Sequence, residues 1–181
     1  MTLPNLISLG RLLCVPLMVW VVLNGRLDLA FWIFLGAGIS DGIDGFLAKR
    51  FDWRTPLGSV LDPVADKALL VSIYILLGAK GFIPSWLVLL VVLRDVLILG
   101  GAMLVFRLNS QTRVEPMWLS KANTVAQIVF AGYVLALNGF DFHDPGVEMP
   151  LTYLVAVTTF ASGLGYLLKW GRQASRMGAS P

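Results

Sequence analysis

Residues 41–66 read DGIDGFLAKRFDWRTPLGSVLDPVAD, and the interpretation of the whole chain starts from the aspartates of this stretch. The four that matter are Asp41, Asp44, Asp62 and Asp66, and long apolar segments precede and follow them. A carboxylate in or near lipid is costly, so a cluster of them requires a function that offsets the cost. Binding divalent cations that in turn hold phosphate groups is such a function. The stretch therefore predicts the active site of a phosphoryl-transfer enzyme.

The composition around this stretch is that of an integral membrane protein. Of the 181 residues, 57% are hydrophobic and only 14% are charged, whereas soluble domains carry about 25% charged residues. Six apolar stretches each approach the roughly 20 residues that a helix needs to cross a bilayer. They cover residues 5–24, 28–48, 59–79, 83–106, 119–139 and 150–170. The sequence thus predicts an all-α, polytopic membrane protein with six transmembrane helices, which form a single domain over residues 1–181.

The basic residues orient these predicted spans, because cytoplasmic loops carry an excess of Lys and Arg. The basic residues predicted to lie on one side are Lys49, Arg50, Arg54, Arg107, Arg113, Lys121, Lys169, Arg172 and Arg176. The other side has only Arg26 and Lys80. We therefore expect both termini and the aspartates at the cytoplasmic face. Neither a signal peptide nor a transit peptide is expected, and the predicted location is the inner (cytoplasmic) membrane of a bacterium.

Helical spacing would bring the four carboxylates together. Asp41 and Asp44 stand at i and i+3, and Asp62 and Asp66 at i and i+4, so each pair shares one face of a helix. Carboxylates so close repel each other unless cations neutralise them. One or two Mg²⁺ or Mn²⁺ ions fit, since hard cations choose oxygen ligands. The stretch contains no His or Cys, which disfavours zinc.

Small residues in the same stretch would let a ligand approach the backbone closely. They are Gly42, Gly45, Ala48 and Gly58. Lys49 adds positive charge beside the place expected for a pyrophosphate. The alternative is that the aspartates merely cap helices at the membrane surface, as Asp62 before Pro63 would. Capping accounts for one or two of the four aspartates, so we favour the ligand site.

These residues resemble a family signature. The pattern D-x-x-D-G-x-x-A-R-x8-G-x3-D-x3-D is typical of the CDP-alcohol phosphotransferases. Its fixed positions fall here on Asp41, Asp44, Gly45, Ala48, Gly58, Asp62 and Asp66. The one departure is Lys49, where the family usually has Arg, and Lys loses the bidentate geometry of a guanidinium group. The resemblance implies a membrane enzyme of six helices that forms a homodimer.

The resemblance also implies a mechanism in which CMP is displaced from a CDP-linked lipid by the hydroxyl group of an acceptor alcohol. Asp41, Asp44 and Asp62 would hold Mg²⁺ or Mn²⁺, as a pair of ions that bridges the pyrophosphate. Asp66 would complete the metal site and act as the general base. The nucleotide and its pyrophosphate would be bound by Asp41, Asp44, Gly45, Ala48, Lys49 and Gly58.

The acceptor alcohol is indicated by two further segments. Residues 94–101 read RDVLILGG and residues 118–127 read WLSKANTVAQ, and both resemble the eukaryotic-type cardiolipin synthases. This implies CDP-diacylglycerol and phosphatidylglycerol as the substrates, with no nucleic-acid partner. Glycerol 3-phosphate, the acceptor of phosphatidylglycerophosphate synthases, is the alternative. A metal-ion transporter that uses the same aspartates is an alternative of another class.

Three basic residues are candidates for binding the anionic acceptor: Arg94, Arg113 and Lys121. Arg94 has two interpretations, because it either forms a self-neutralising pair with Asp95 or faces a cavity and binds an acceptor phosphate. Arg11 lies within the first apolar stretch, and we expect it either to line the cytoplasmic mouth or to snorkel to the interface.

Overall fold

The structure is a computed structural model. It describes the backbone of residues 3–51, 58–108, 118–144 and 146–177, and the side chains of residues 10–43, 64–101, 118–144 and 146–169. This part of the chain consists of six α-helices without a β-strand. They are α1 (Leu3–Leu23), α2 (Leu27–Phe51), α3 (Gly58–Ala79), α4 (Ser85–Leu108), α5 (Trp118–Gly139) and α6 (Glu148–Met177). Each predicted apolar stretch coincides with one helix, so the all-α prediction is confirmed.

Glycines end two of these helices in the same way. Gly25 after α1 has a φ of 75°, and Gly81 after α3 has a φ of 82°. In each case the next residue donates a backbone hydrogen bond to a carbonyl of the last helical turn, Arg26 to Val21 and Phe82 to Leu77. This pattern satisfies carbonyl groups that a helix end leaves without partners, and it requires the left-handed conformation that glycine adopts without strain. The connections that follow α1 and α3 are therefore short.

The chain forms two compact units. Unit 1 comprises residues 1–85 and 131–148, and unit 2 comprises residues 86–130 and 149–181. In unit 1, α1 packs against both α2 and α3, around the fully buried side chains of Met18, Val22 and Ile73. The core of unit 2 includes Leu87, Phe130 and Val155. The prediction of a single domain over residues 1–181 stays a prediction.

The last part of α5 belongs to unit 1 and approaches the start of α2 closely. A Cβ atom built on Gly139 would lie 2.7 Å from the backbone nitrogen of Asp28 and from the carbonyl carbon of Leu27. Real Cβ atoms do not come so near to backbone, which cannot move aside as a flexible side chain can. Glycine at position 139 therefore allows this contact between the two helices.

One helical segment within the described residues is both long and apolar enough to cross a bilayer, the 22 residues from Glu148 to Lys169 of α6. A shorter apolar segment, Gly10–Leu23, lies in α1. Six spans with both termini in the cytoplasm therefore stay a prediction.

Candidate active site

The four predicted aspartates lie on two consecutive helices, α2 and α3. Asp41 and Asp44 lie in the second half of α2, while Asp62 and Asp66 lie in the first part of α3. The backbone is helical at all four positions, so the helical spacing on which the prediction depends is present. The side chains of Asp44 and Asp62 lie outside the described residues. Asp41 and Asp66 are the two predicted ligands whose side chains the structure describes.

Arg11 of α1 joins these two carboxylates. Its Nη1 atom lies 2.8 Å from Oδ1 of Asp41 and also forms an ion pair and hydrogen bond with Oδ1 of Asp66. One guanidinium nitrogen is thus shared by carboxylates from two different helices. Because α1 packs against both α2 and α3, it carries the positive charge to a point between the carboxylates of these two helices.

The burial of the three side chains is unequal. The side chain of Arg11 is only 4% exposed, whereas those of Asp41 and Asp66 are 45% and 41% exposed. The guanidinium group therefore lies on the protein side of the cluster, and the carboxylates remain accessible to a solute. A buried arginine requires such partners, since burying an unpaired charge is strongly unfavourable.

Sequence reasoning did not assign Arg11 to the site. It allowed Arg11 to line the cytoplasmic mouth or to snorkel, and the observed burial and pairing exclude snorkelling to the interface. A signal was nevertheless present, because Arg11 is the one charged residue of the predicted span 5–24. An ionisable residue within such a span marks a functional position by default. Its partners could not be named without the packing of α1.

The donor set fits a hard divalent cation. Asp41 and Asp66 present carboxylate oxygens that converge on one positive charge, and Mg²⁺ and Mn²⁺ prefer such oxygen ligands. Among the described side chains, no group of three or more His, Cys, Asp or Glu residues is close enough to hold an ion. Asp44 and Asp62, the other predicted ligands, do not belong to the described side chains, so the four-aspartate site stays a prediction.

The residues predicted to bind the nucleotide lie mostly outside the described side chains. Those outside are Asp44, Gly45, Ala48, Lys49 and Gly58. Gly42, three residues before Gly45, is exposed, and a Cβ atom at this position would meet nothing within 4 Å. The backbone of α2 beside Asp41 is therefore open to an approaching ligand.

A second polar cluster lies within unit 2, around Arg94 of α4. Its Nη1 donates a hydrogen bond of 2.6 Å to Oδ1 of Asp95, and its Nη2 donates to the hydroxyl oxygens of Ser120 at 2.5 Å and Ser162 at 2.7 Å. The side chains of Arg94 and Asp95 are only 3% and 2% exposed. Arg94 thus links α4 to α5 and α6, and the predicted pair with Asp95 is formed.

Buried amides continue this cluster along α5 and α6. The side-chain oxygen of Asn123 accepts hydrogen bonds from the hydroxyls of Thr158 and Thr159, at 2.9 and 2.8 Å. Gln127 and Thr159 are 3.4 Å apart at their polar atoms. The Nδ2 atom of Asn123 is buried and has no hydrogen-bond partner among the described residues. Residues 118–127, whose sequence resembles the cardiolipin synthases, therefore contain a buried donor without a partner among the described residues.

The three candidate residues for the acceptor differ in their surroundings. Arg94 is buried and paired, Lys121 is exposed on α5, and Arg113 lies outside the described residues. Since the pair with Asp95 exists, the self-neutralising interpretation of Arg94 accounts for its charge. Binding of an acceptor phosphate by these residues stays a prediction.

Known proteins resemble this chain along most of its length. A protein from Oryza sativa subsp. japonica described as the chloroplastic CDP-diacylglycerol–glycerol-3-phosphate 3-phosphatidyltransferase 1 is 35% identical, over 94% of this chain and 57% of its own length. The Schizosaccharomyces pombe cardiolipin synthase (CMP-forming)/mitochondrial hydrolase fusion protein is 33% identical, over 92% of this chain and 31% of its own. A probable cardiolipin synthase (CMP-forming) from Drosophila melanogaster is 32% identical, over 93% and 57% respectively.

The chain thus spans less than two thirds of the length of each of these relatives. The similarity to cardiolipin synthases of eukaryotes confirms the resemblance inferred from residues 94–101 and 118–127. The sequence model of one family, described as CDP-alcohol phosphatidyltransferase, matches residues 1–162, which include all four aspartates. The chain belongs to the CDP-alcohol phosphatidyltransferase family.

Proposed function

We propose that the protein is a cardiolipin synthase. It transfers the phosphatidyl group of CDP-diacylglycerol to a hydroxyl group of phosphatidylglycerol and releases CMP. The observation that carries the proposal is that Asp41 and Asp66, from two helices, both contact the guanidinium group of Arg11. This arrangement occurs in a chain that belongs to the family. Accessible carboxylates that converge in this way suit a phosphoryl transfer, in which catalysis consists of positioning and charge stabilisation.

Asp66 is the general base of the proposed reaction. Its carboxylate is 41% exposed, so an acceptor hydroxyl can reach it. As the hydroxyl oxygen attacks the phosphorus atom that bears the diacylglycerol, its proton passes to Asp66 and the bond between that phosphorus and the oxygen of CMP breaks. Asp41, Asp44, Asp62 and Asp66 would hold Mg²⁺ or Mn²⁺, which when bound would supply positive charge to stabilise the phosphates and the leaving CMP.

The nucleotide lies along the open part of α2 in this proposal. Gly45 and Ala48 contact the nucleoside, Lys49 and Gly58 lie beside the pyrophosphate, and Asp41 and Asp44 hold it through the metal ions. The exposed backbone at Gly42 supports a ligand here, because no described side chain covers this part of the helix. Lys49 provides one charged donor where the family usually has the fork of an arginine.

Phosphatidylglycerol is proposed as the acceptor from the resemblance of residues 94–101 and 118–127 to cardiolipin synthases, a description that two of the relatives above bear. Arg113 and Lys121 are proposed to attract the anionic acceptor, whereas the charge of Arg94 is already neutralised by its buried pair with Asp95. The buried Nδ2 of Asn123, which has no partner among the described residues, supports a polar ligand near residues 120–124. Glycerol 3-phosphate is the second candidate acceptor, because the chain is also similar to the rice CDP-diacylglycerol–glycerol-3-phosphate 3-phosphatidyltransferase.

The protein is proposed to cross the membrane six times, with the aspartates and both termini on the cytoplasmic side, and to form a homodimer. Large apolar side chains that face outwards support a lipid environment, since solvent-exposed clusters of such residues are unfavourable in water. Examples are Leu13 and Trp20 of α1, Leu89 and Val96 of α4, and Val157 and Phe160 of α6. Location in a bacterial inner membrane stays a prediction.

The choice of acceptor tests the proposal directly. Purified protein in liposomes with CDP-diacylglycerol and Mn²⁺ or Mg²⁺ would receive phosphatidylglycerol or glycerol 3-phosphate separately, with CMP and the lipid product measured. We expect CMP and cardiolipin with phosphatidylglycerol only. Phosphatidylglycerophosphate formed from glycerol 3-phosphate alone would keep the mechanism and replace the acceptor. Mn²⁺ uptake into the liposomes without CMP release would identify a transporter instead.

A further inference from the structure

The counter-ion of Asp41 and Asp66 is supplied by the protein itself. In the metal-binding site proposed above, on which this inference rests, Nη1 of Arg11 contacts Oδ1 of both carboxylates. The charge of these two carboxylates is therefore already partly neutralised by the protein. We propose that Arg11 is a built-in competitor of the divalent cation, which keeps metal affinity low until the negative pyrophosphate of the CDP-lipid arrives.

The argument begins with the position of the charge. A cation that binds Asp41 and Asp66 must take its place within a few ångströms of the guanidinium nitrogen that lies 2.8 Å from Oδ1 of Asp41. If the guanidinium group stays, it repels the cation. If it withdraws, its two ion pairs are lost, and a buried arginine loses its partners. In both cases the apparent affinity for the cation decreases, because like charges repel and unpaired buried charges are unfavourable.

Arg11 cannot avoid this conflict by turning towards solvent. Its side chain is 4% exposed, and its backbone belongs to α1, which packs against both α2 and α3. The carboxylates, by contrast, are about ten times more exposed, at 45% and 41%. A solute therefore meets the acidic groups first, with the arginine fixed behind them.

The pyrophosphate of a CDP-lipid changes this balance. Its negative charge attracts both the divalent cation and Arg11, so it compensates the repulsion between them. Metal and nucleotide should therefore bind with positive coupling, and the coupling must be equal in both directions. Arg11 acts in this way as a positioning residue that links metal occupancy to the presence of substrate.

Mn²⁺ binding, followed by electron paramagnetic resonance of the free ion, tests this without turnover. Full-length protein in detergent would be titrated with Mn²⁺ in the absence and presence of CDP, for the wild type, Arg11→Gln, Arg11→Met and Arg11→Lys. Without CDP, we expect the two neutral variants to bind Mn²⁺ at least about tenfold more tightly than the wild type. Arg11→Lys, which keeps the charge, should stay close to the wild type. CDP should tighten Mn²⁺ binding strongly in the wild type and weakly in the neutral variants.

Arg26→Gln is the matched control. Arg26 also belongs to unit 1 and pairs with an aspartate, Asp28, but this ion pair lies where the turn after α1 leads into α2 and is more exposed than Arg11. Its removal should leave Mn²⁺ affinity unchanged, with or without CDP. A tightening as large as that of Arg11→Gln would show an effect of net charge alone and would overturn the inference.

The remaining outcomes separate the inference from the function on which it rests. Equal or weaker Mn²⁺ binding by Arg11→Gln and Arg11→Met, with normal binding by the wild type, would overturn the role of Arg11 and leave the metal site intact. No Mn²⁺ binding by any variant or the wild type, with or without CDP, would overturn the metal site itself. If neither neutral variant folds, the wild-type protein alone is compared with and without CDP. A Mn²⁺ affinity that CDP does not change would then contradict the proposed coupling.

Discussion

Two buried arginines, one in each compact unit, are neutralised in different ways. Arg11 in unit 1 is shared by Asp41 and Asp66, which come from two other helices and remain partly exposed. Arg94 in unit 2 pairs with Asp95, its neighbour in sequence, and donates to the hydroxyls of Ser120 and Ser162. Asp95 and Ser162 are as buried as Arg94 itself.

The difference separates a site that is open to ligands from a site that holds helices together. Carboxylates that are partly exposed can exchange one cation for another, as a metal site requires. In the cluster around Arg94 both charged groups, Arg94 and Asp95, are buried and have no such freedom, and the hydrogen bonds of this cluster chiefly fix how α4, α5 and α6 meet. We therefore expect changes around Arg11 to alter binding and turnover, and changes around Arg94 to alter stability.

The largest expected effect concerns Asp66. Asp66→Asn keeps the shape of the side chain but removes the proposed base, and general-base catalysis contributes about 10²- to 10⁴-fold. CMP release should therefore decrease by about this factor, while CDP binding, measured by calorimetry, changes little. The control is Asp28→Asn, which removes an exposed carboxylate of the same unit and should leave CMP release unchanged. Loss of CDP binding together with turnover would show that Asp66 is chiefly a metal ligand.

The next effect concerns the stability of unit 2. Arg94→Met leaves the carboxylate of Asp95 buried without its guanidinium partner, and breaking such a pair typically costs about 3–5 kcal/mol. The thermal midpoint of the protein in detergent should fall by about 6 °C or more. The double variant Arg94→Met/Asp95→Leu removes both charges and should recover at least half of this loss. A variant of Arg94 that keeps its thermal midpoint but loses phosphatidylglycerol turnover would instead assign Arg94 to the acceptor site.

A smaller effect should distinguish the two serines that accept hydrogen bonds from Arg94. Ser162 is fully buried, whereas Ser120 is partly exposed. A hydrogen bond to a charged group contributes about 1.5–3 kcal/mol when water cannot replace it. Ser162→Ala should therefore lower the thermal midpoint more than Ser120→Ala, since water can replace the second hydroxyl. The reverse order would contradict the view that burial determines the strength of this cluster.

The smallest expected effect on stability concerns Tyr133 and Asp144, which lie outside both clusters. The hydroxyl of Tyr133 donates a hydrogen bond of 2.5 Å to Oδ1 of Asp144, and this hydrogen bond lowers the pKa of Asp144 below its ordinary value. A carboxylate with a lowered pKa in the folded protein stabilises it above the pKa of the unfolded chain, about 3.9. That contribution is lost as the pH falls through the folded-state pKa.

Tyr133→Phe removes this hydrogen bond and gives a direct comparison. The difference in thermal midpoint between wild type and Tyr133→Phe should be constant above about pH 5 and should shrink below about pH 4, where Asp144 becomes protonated. It should be smaller than the effects at Arg94, because Asp144 is more accessible to water. A difference that grows as the pH falls would mean that Tyr133 stabilises the protonated form.

Much of this protein could be predicted from local sequence features. Gly25 and Gly81 follow helix ends between predicted apolar stretches, and these stretches coincide with the six helices. The spacing of Asp41, Asp44, Asp62 and Asp66 was sufficient to identify the family, which the match over residues 1–162 confirms. These features are local or depend on fixed spacings, so they do not require knowledge of how the helices pack.

By itself, the sequence determined the helical class and the family, because periodicity and motif spacing are properties of neighbouring residues. Only the tertiary structure decided that Arg11 is shared between Asp41 and Asp66, and that Arg94 donates to Ser120 and Ser162. Ion pairs and hydrogen bonds between helices depend on which faces meet and how deeply they are buried. A pattern of charges within one helix does not contain that information.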